Sequence, residues 1–442
     1  MNQTRAIITQ LLQNIGSSKE VDQYLKQFSA VESTKFAVIK VRGDIVRDAL
    51  EDLSTALTFL YRVGLYPIVI QGGGAQLDLA LREAGLPVAD DEGLRVVDAA
   101  TLRVARRTLT AVNHQLVDAL EAMGTRARAI PAGVFLGEPA DPERLGFHGA
   151  VTGLDFEPVA AAIRSGHLPI LSCFAESPSG QLLLVHARTA ALALARRIQP
   201  SKIIFLSPQG GLLDGDRRLI RSLNLAEDYD WLLAQPWADA RQRARFRDIK
   251  ALLDDLPLSS SMAITAPGLL PKELFTHRGS GTLIRRGEKV LVFEGGLAGV
   301  DVPRLRALVE EVFGRPLVPD YFDKKPFYRI YITESYRATA ILTREGDLPY
   351  LDKFAVDERA QGEGLGGSLW EKVAEDNPKL FWRSRIDNRT INPWYFSRSE
   401  GSLRDHQWIV FWYGLESFAE VQSALALAFA MPASLAPRAP AP

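Results

Sequence analysis

Apolar residues recur at helical spacing along the first thirty positions of the chain. The break Gly16-Ser17-Ser18 divides them into two groups, which are Ile8, Leu11, Leu12 and Ile15, then Val21, Leu25 and Phe28. Short helices with one apolar stripe cannot bury that stripe alone. We therefore predict a helical arm over residues 1–29 that docks on the body of the protein or on another subunit.

From about residue 35, short apolar runs alternate with stretches of helical periodicity. The runs are FAVIKV, YPIVIQ, LPILSCF and KIIFLS, and the helical stretches are 48–63, 75–84, 99–122 and 187–198. Strands that read as continuous apolar runs between helices are typical of parallel sheets covered on both faces. The pattern predicts an open, mostly parallel α/β sheet sandwiched by helices over residues 30–285. The glycine-bearing loops KVRGD, QGGGAQ and SPQGG follow three of the runs and should line one site.

The pattern changes again near residue 326. PFYRIYIT, YRATAILT and LPYLDKFAV are consecutive strand candidates without an intervening helix, which predicts an antiparallel meander. A glycine loop, a helix over 364–376 and the strand-like runs LFWRSR and QWIVFWYG follow. We predict an α+β domain over 286–430, in which 286–325 contributes one strand and one helix. The proline- and alanine-rich residues 431–442 are predicted to be disordered.

Composition narrows the class of protein. The chain has 442 residues, a net charge of −1 and one cysteine, Cys173, inside an apolar run. This length favours two domains, and the charge balance gives no reason to expect nucleic acid or a membrane as a partner. No signal-peptide pattern opens the chain, and a lone cysteine fits a reducing compartment, so we expect a cytoplasmic protein. Cys173 is expected to be a core residue.

The glycine loop Gln361-Gly362-Glu363-Gly364-Leu365-Gly366 is the strongest local motif. It follows a meander rather than the first strand of a βαβ unit, which argues against a dinucleotide site, and it lacks the Lys-Ser/Thr of a P-loop. Between a strand and a helix, its backbone N–H groups would point at an anion, aided by the helix dipole.

This loop, the preceding YLDKFAV and the downstream LFWRSRIDNRTINPWYF resemble the Gcn5-related N-acetyltransferase domain of vertebrate-like N-acetylglutamate synthases. The resemblance covers about residues 258–415. It implies that the loop wraps the pyrophosphate of acetyl-CoA and that the preceding strand pairs with the pantetheine arm. The implied cofactor-binding residues are Phe354, Ala355, Val356, Gln361, Gly362, Gly364, Leu365 and Gly366.

The same resemblance suggests the catalytic and substrate residues. Tyr395 is the candidate acid for the leaving thiolate, and Asn388 is the candidate beside the reacting carbonyl, with Asn392 as a rival because of one extra residue before Tyr395. Cations could neutralise the two carboxylates of L-glutamate. The candidates are Lys353, Arg383, Arg385 and Arg315. No metal is expected for acetyl transfer.

Residues 30–285 resemble the amino-acid kinase fold of acetylglutamate kinase. Its matching landmarks are Lys40, Gly72, Gly73 and Arg95. Other kinase motifs differ: the paired glycine reads Arg42-Gly43, the Asn-x-Asn-Ala-Asp reads 184–188 LVHAR, Thr-Asp reads Ser207-Pro208, and the late lysine motif reads 240–245 ARQRAR. Phosphoryl transfer depends on positioned charge. We therefore expect a vestigial kinase site, with ATP and Mg²⁺ needed only if kinase activity survives.

The arm and the motif KELFTHRGSGTLI resemble the arginine site of arginine-sensitive kinases and synthases. The implied allosteric residues are Tyr24, Glu273, Gly279, Gly281 and Thr282. The sequence as a whole predicts an N-acetylglutamate synthase, with L-arginine as an effector and a homo-oligomeric state. A bifunctional synthase–kinase and a non-catalytic regulatory subunit are the alternatives.

Overall fold

The computed structural model describes residues 36–91, 94–275, 280–360 and 364–436. The arm predicted for residues 1–29 lies outside them. The chain divides into two compact units between Arg286 and Gly287. No helix in these described ranges is long and apolar enough to cross a bilayer.

The first unit contains sixteen short strands in its described residues. Their bounds are β1 (Ala37–Val41), β2 (Ile68–Gln71), β3 (Asp90–Asp91), β4 (Leu94–Arg95), β5 (Ala127–Ile130), β6 (Phe135–Pro139), β7 (Gly149–Leu154), β8 (Leu168–Leu171), β9 (Phe174–Glu176), β10 (Leu182–Leu184), β11 (Lys202–Leu206), β12 (Leu212–Leu213), β13 (Leu219–Ile220), β14 (Ser222–Asn224), β15 (Ser261–Thr265) and β16 (Thr282–Arg285). The main sheet has the order β14-β16-β15-β11-β1-β2-β8-β5, and a smaller one has the order β10-β9-β6-β7. Every neighbouring pair in the main sheet is parallel except β15 and β16. The predicted mostly parallel sheet is confirmed.

Helices cover both faces of this sheet. Their bounds are α1 (Gly43–Asp48), α2 (Leu50–Arg62), α3 (Gly74–Glu83), α4 (Ala99–Ala122), α5 (Pro142–Leu145), α6 (Glu157–Arg164), α7 (Ala187–Ile198), α8 (Leu225–Ala234), α9 (Ala240–Asp255) and α10 (Leu270–Phe275). Ile39 of β1 belongs to the core that contains Leu57 of α2, whereas its neighbour Val38 belongs to the core that contains Leu77 of α3. Alternate residues of a strand point to opposite faces, so burial on both faces explains the continuous apolar runs.

The second unit is built around one seven-stranded sheet. Its strands are β17 (Val290–Glu294), β18 (Phe327–Thr333), β19 (Ala338–Glu345), β20 (Leu348–Val356), β21 (Leu380–Arg385), β22 (Gly401–Arg404) and β23 (Trp408–Tyr413), and its helices are α11 (Val302–Phe313), α12 (Tyr321–Lys324), α13 (Leu365–Asp376), α14 (Asn392–Phe396) and α15 (Phe418–Ala430). The order is β17-β18-β19-β20-β21-β23-β22. The meander β18-β19-β20 is antiparallel, as predicted.

Only β20 and β21 are parallel in this sheet, and they barely pair. Their register contains two residue pairs, Tyr350 with Phe381 and Leu351 with Trp382. Beyond Leu351, β20 continues to Val356 paired with β19 alone. The two strands therefore diverge after Leu351 and Trp382, and we call the opening between them the seam.

The segment after α15 differs from the prediction. Disorder was predicted from residue 431, but residues 431–436 pair with the stretch between α11 and α12. The Val318 N–H donates to the Ser434 carbonyl (3.2 Å), and the Ala436 N–H donates to the Pro316 carbonyl (2.9 Å). Leu435 packs against the apolar core that contains Leu317. Backbone pairing and one partly buried leucine hold a segment whose composition alone predicts disorder.

Candidate functional site

Helix α13 begins beside the end of β20. Gly364 adopts a left-handed conformation (φ 85°) at the helix N-cap, and the first helical bond runs from the Ser368 N–H to the Gly364 carbonyl. The N–H groups of the turn before Ser368 consequently point out of the helix. A Cβ on Gly366 would lie 3.2 Å from Val356 Cγ2, so this glycine lets the helix approach the strand closely. Gln361 and Gly362 lie outside the described residues.

The strand end that faces the seam is apolar. Ala355 is fully buried, Leu365 of α13 is buried in the core that also contains Phe354, and the ring of Phe354 stacks on Trp394 (centroids 5.3 Å apart, 25° between planes). Among the described strands, only β19 pairs with the backbone of this stretch, including Val356. The backbone groups on its other edge are therefore left without a partner strand in the described ranges, as a ligand that pairs with a strand requires.

Helix α14 places Tyr395 in an aromatic cluster with its hydroxyl free. The ring lies 5.5 Å from that of Trp382 on β21, and the side chain is 6% exposed. Its hydroxyl makes no hydrogen bond with any residue that the structure describes. Burial raises the pKa of Tyr395 above its usual value of 10, so the phenol stays protonated at neutral pH.

The two candidate asparagines occupy different positions. Asn392 lies on α14 one turn before Tyr395, and its Nδ2 donates to the Arg385 carbonyl (2.8 Å). Asn392 Oδ1 is buried and has no hydrogen-bond partner in the described ranges. Asn388 lies before the helix and is partly exposed, with its Oδ1 accepting a long bond from the Ile391 N–H (3.4 Å). Asn392 is thus the asparagine that the fold buries beside Tyr395.

Lys353 is buried in a charged network that sequence reasoning missed. Its Nζ lies 2.7 Å from the Asp352 carboxylate, which also receives bonds from Lys325 Nζ (2.9 Å) and Tyr321 Oη (2.6 Å). Burial alone would raise the pKa of Asp352, but the charges of Lys353 and Lys325 hold this pKa well below its usual range. Burial lowers the pKa of Lys353, and Asp352 opposes that shift. The adjacent acidic and basic residues of YLDKF, Asp352 and Lys353, were the feature of the sequence from which this ion pair could have been predicted.

Arg383 and Arg385 meet at one indole ring. Their guanidinium carbons lie 4.1 and 5.8 Å from the centroid of Trp408, respectively. Arg383 Nη1 and Nη2 donate to the carbonyls of Ala428 (2.7 Å) and Pro432 (3.0 Å), and its charge contributes to the lowered pKa of Lys353. Arg385 Nε donates to the Asp387 carboxylate (3.1 Å).

Arg315 lies apart from these contacts. It follows α11 and is partly buried, and its backbone N–H donates to the Glu310 carbonyl (3.2 Å). Its guanidinium has no hydrogen bond or ion pair within the described ranges. Arg383 and Arg385 thus meet at Trp408, and the charge of Arg383 acts on Lys353, whereas no contact among the described residues joins Arg315 to these three cations.

In the first unit, the loop after β1 meets the loop after β2. The Gly72 N–H donates to the Val41 carbonyl (2.8 Å), and a Cβ on Gly43 would lie 2.9 Å from Gly73 Cα. Lys40, near the end of β1, has its Nζ 5.7 Å from the Phe205 ring. Burial first, and then the charge of Arg42, lower the pKa of Lys40 to about 8.

The kinase-like site has an excess of cations. Arg42 is bonded to Asp44, and Arg188 lies 3.4 Å from Asp248. His186 caps α7 by accepting from the Arg188 N–H, and burial followed by the charge of Arg188 lowers the pKa of His186 to about 4. The positions that resemble the kinase's catalytic aspartate motif therefore carry a neutral histidine and an arginine.

Arg95 makes an ion pair with Asp78 of α3, and its backbone carbonyl lies 3.1 Å from His148 Nδ1. One guanidinium nitrogen, Nη1, is buried without a partner in the described ranges. Cys173 is fully buried, its Sγ donates to the Gln71 carbonyl (3.2 Å), and burial raises its pKa to about 12. This thiol is a core group, as predicted.

The described allosteric candidates are engaged in local structure. Glu273 Oε2 accepts from the N–H groups of Ser280 (2.7 Å) and Gly281 (3.1 Å). Thr282 Oγ1 donates to the Ile220 carbonyl (2.6 Å). A Cβ on Gly281 would lie 1.9 Å from the Ile264 carbonyl oxygen, so packing requires glycine here. Tyr24 and Gly279 lie outside the described residues.

Two sequence profiles match the two units. Residues 35–240 match the amino acid kinase family, and residues 288–429 match NAT, the N-acetyltransferase of N-acetylglutamate synthase. Among the described residues, no group of three or more His, Cys, Asp or Glu is placed to hold a metal ion.

Known proteins resemble the chain over both units. It is 47% identical over 417 residues to an acetylglutamate kinase of Xanthomonas campestris, covering 93% of this chain and 97% of the relative. It is 34% identical over 419 residues to the mitochondrial N-acetylglutamate synthase of Homo sapiens, covering 92% and 75%. A crystal structure of N-acetylglutamate synthase from Neisseria gonorrhoeae, complexed with coenzyme A and N-acetylglutamate, shares its fold with a TM-score of 0.66 at 19% identity, covering 89% of this chain and 98% of that one. The chain belongs to the family of vertebrate-like N-acetylglutamate synthases and bifunctional synthase–kinases, in which an amino-acid kinase domain precedes an N-acetyltransferase domain.

Proposed function

We propose that this protein is an N-acetylglutamate synthase, which transfers the acetyl group of acetyl-CoA to the α-amino group of L-glutamate and so opens arginine biosynthesis. The observation that carries the proposal is the seam between β20 and β21. A protonated tyrosine, Tyr395, lies against β21, and the cations Lys353 and Arg383 belong to the two diverging strands.

The seam suits a thioester on an extended arm. The backbone of residues 353–356 pairs with β19 alone, so its free edge can bond to the amides of pantetheine as a neighbouring strand would. The first turn of α13 directs N–H groups and the positive end of a twelve-residue helix outward, which suits the diphosphate of coenzyme A. Phe354 and Ala355 give this path an apolar wall.

Acetyl transfer requires a neutral amine to attack the thioester carbonyl and a proton for the departing thiolate. The nitrogen–carbon bond forms, the carbon–sulfur bond breaks, and the Tyr395 hydroxyl supplies the proton to sulfur. The proton that the attacking nitrogen loses restores the Tyr395 phenol, so no net proton is consumed. Its raised pKa keeps that proton in place until a basic thiolate develops. Asn392, buried one turn earlier, is the proposed amide beside the reacting carbonyl, in preference to Asn388.

The carboxylates of glutamate would be held by the cations. Lys325 and Lys353 outnumber Asp352 by one positive charge, and Arg383 adds another nearby. A buried excess of positive charge favours a carboxylate ligand over a neutral side chain. We include Arg385 and Arg315 among the substrate-binding candidates.

Thiol release from acetyl-CoA tests the proposal. The full chain should release thiol with L-glutamate and not with L-glutamine, which has the same length but no side-chain charge. A reaction without amino acid measures background hydrolysis. If glutamate causes no release above that background, the proposed function is wrong.

A second candidate function is phosphorylation of N-acetylglutamate, favoured by the Xanthomonas relative that is named a kinase. The charges of Arg42 and Arg245 act on Lys40, and Arg188 lies beside a neutral His186. These cations weigh against the kinase reaction because an arginine, Arg188, stands where the kinase motif has its orienting carboxylate. We propose that this unit is catalytically silent. Release of ADP from Mg²⁺–ATP only when N-acetylglutamate is present would establish the bifunctional alternative.

We also propose L-arginine as an effector of a homo-oligomer located in the cytoplasm. A Neisseria gonorrhoeae synthase of the same fold has been crystallised with coenzyme A and L-arginine. The acetyl-transfer rate with and without L-arginine tests the first point, and light scattering during size-exclusion chromatography tests the second.

A further inference from the structure

The segment of residues 431–436 crosses the proposed glutamate site. It leaves α15, contacts Arg383 through the Pro432 carbonyl and Lys353 through the Ser434 hydroxyl, and then pairs with residues 316–318. The segment therefore joins two cations that lie on the two diverging strands.

Lys353 has no donor left for a substrate. An ammonium group has three N–H donors and no acceptor. Its Nζ lies 3.1 Å from the Asp352 carbonyl, 2.7 Å from the Asp352 carboxylate and 2.5 Å from Ser434 Oγ. Three acceptors match three donors, so a glutamate carboxylate can bond to Lys353 only if one acceptor leaves.

Ser434 is the acceptor that can leave. The Asp352 carboxylate is 5% exposed and is also bonded by Tyr321 and Lys325, and the Asp352 carbonyl belongs to strand β20. Ser434 lies on a short segment fixed by two backbone hydrogen bonds and the packing of Leu435.

The charges favour the exchange. Lys353 shares the single carboxylate of Asp352 with Lys325, and the Arg383 guanidinium is bonded to two peptide carbonyls, so this group of cations keeps an excess of positive charge. A carboxylate would satisfy the same donors and also neutralise charge, which a hydroxyl or a peptide carbonyl cannot do.

We propose that Ser434 competes with the side-chain carboxylate of glutamate for Lys353, so that the 431–436 segment must give way when glutamate binds. Ser434 is thereby a residue that sets the affinity for substrate rather than one that takes part in the chemistry. This inference rests on the proposed synthase function.

Steady-state kinetics of Ser434→Ala test the competition. The variant removes the competing hydroxyl, so the KM for glutamate should fall by about 10- to 100-fold, the range expected for one hydrogen bond to a charged group. The kcat and the KM for acetyl-CoA should not change. Ala433→Ser, which adds a hydroxyl at the exposed neighbour, is the matched control and should keep the original KM. A KM for glutamate that is unchanged or raised in Ser434→Ala overturns the inference.

Hydrogen exchange supplies a readout without catalysis. The Ala436 amide, which donates to Pro316, should exchange faster in Ser434→Ala and also in the unaltered protein on addition of glutamate. Unchanged exchange in either case contradicts the role of Ser434 as the anchor. Absence of glutamate-dependent thiol release in all three proteins would overturn the proposed function and this inference together, whereas normal release with an unchanged KM overturns this inference alone.

Discussion

Replacing Lys40 with methionine should stabilise the first unit at neutral pH. Lys40 holds its ammonium in a mostly buried position, near a ring and close to Arg42, with no hydrogen bond or ion pair to a described residue. Burial and the charge of Arg42 lower its pKa from 10.5 to about 8. Methionine has a similar length, keeps the apolar contacts and removes the charge.

The size of the gain follows from the pKa. A shift of one pKa unit corresponds to about 1.4 kcal/mol, so a fall from 10.5 to about 8 corresponds to about 3 kcal/mol. Partial exposure of the side chain to water reduces the expected gain to about 2 kcal/mol. Because the folded-state pKa is lowered, the unfolded chain binds more protons between pH 8 and 10.5. The free energy of unfolding of the unaltered protein should therefore rise with pH across that window, and the advantage of Lys40→Met should disappear by about pH 10.5.

Calorimetric unfolding of the full chain at pH 7 and pH 10 measures both effects. Lys202→Met is the matched control: Lys202 is also buried with its pKa lowered to about 8 by burial and Arg285, but its Nζ donates to Ser261 Oγ (2.9 Å). Removing that donor leaves a buried hydroxyl unpaired, so this variant should gain less. Destabilisation by Lys40→Met at pH 7, or an equal gain from both variants, would refute the reasoning.

Three further predictions concern single groups. Tyr395→Phe should lower the kcat for acetyl transfer about 100-fold in a thiol-release assay through loss of the proton donor. The control Tyr413→Phe should retain kcat because the Tyr413 hydroxyl is already bonded to the Asn377 carbonyl (2.8 Å). Equal rates in the two variants would exclude Tyr395 as the proton donor. Gly281→Ala should cost about 3 kcal/mol or more in thermal unfolding because of the 1.9 Å contact, whereas Gly74→Ala, with no atom within 4 Å, should be neutral or slightly stabilising. Asp352→Asn should cost about 3–5 kcal/mol at pH 7 by leaving two buried lysines uncompensated. Since the folded-state pKa of Asp352 is lowered, the difference from the unaltered protein should shrink as the pH falls below about 4, and a pH-independent difference would contradict the assignment.

The strands of both sheets were largely predictable because burial leaves a direct mark on the sequence. Strands β1, β2, β8 and β11 are buried on both faces and read as unbroken apolar runs. The four-stranded sheet β10-β9-β6-β7 was not predicted, since its strands are short and mix buried with exposed positions.

The partners of Lys353 were not predictable from local pattern. In a regular strand, Asp352 and Lys353 would point to opposite faces. A register shift opposite Ile341 and Leu342 makes Asp352 an extra residue in β20, which lets adjacent side chains meet. Ser434 lies 81 positions further along the chain, in a segment whose composition is typical of disorder. Its position is determined by tertiary backbone pairing, which leaves no periodic pattern in the sequence.

The position of the asparagine was also undecided in the sequence. The alignment favoured Asn388, and one extra residue before Tyr395 left Asn392 as a rival. Helix α14 separates them physically, because an interval of three residues places Asn392 and Tyr395 on the same side of one turn.

The seven-stranded sheet consists of two ribbons, β17–β20 and β21–β23, with two residue pairs between them. Trp370 of α13 spans the junction, with its ring 5.9 Å from Phe354 of β20 and 5.1 Å from Trp382 of β21. Cohesion across the middle of this unit therefore comes from edge-to-face aromatic contacts more than from backbone hydrogen bonds between the strands. A ligand bound between the ribbons would supply backbone hydrogen bonds that the two strands do not make with each other. Its binding free energy would therefore also stabilise the association of the two ribbons.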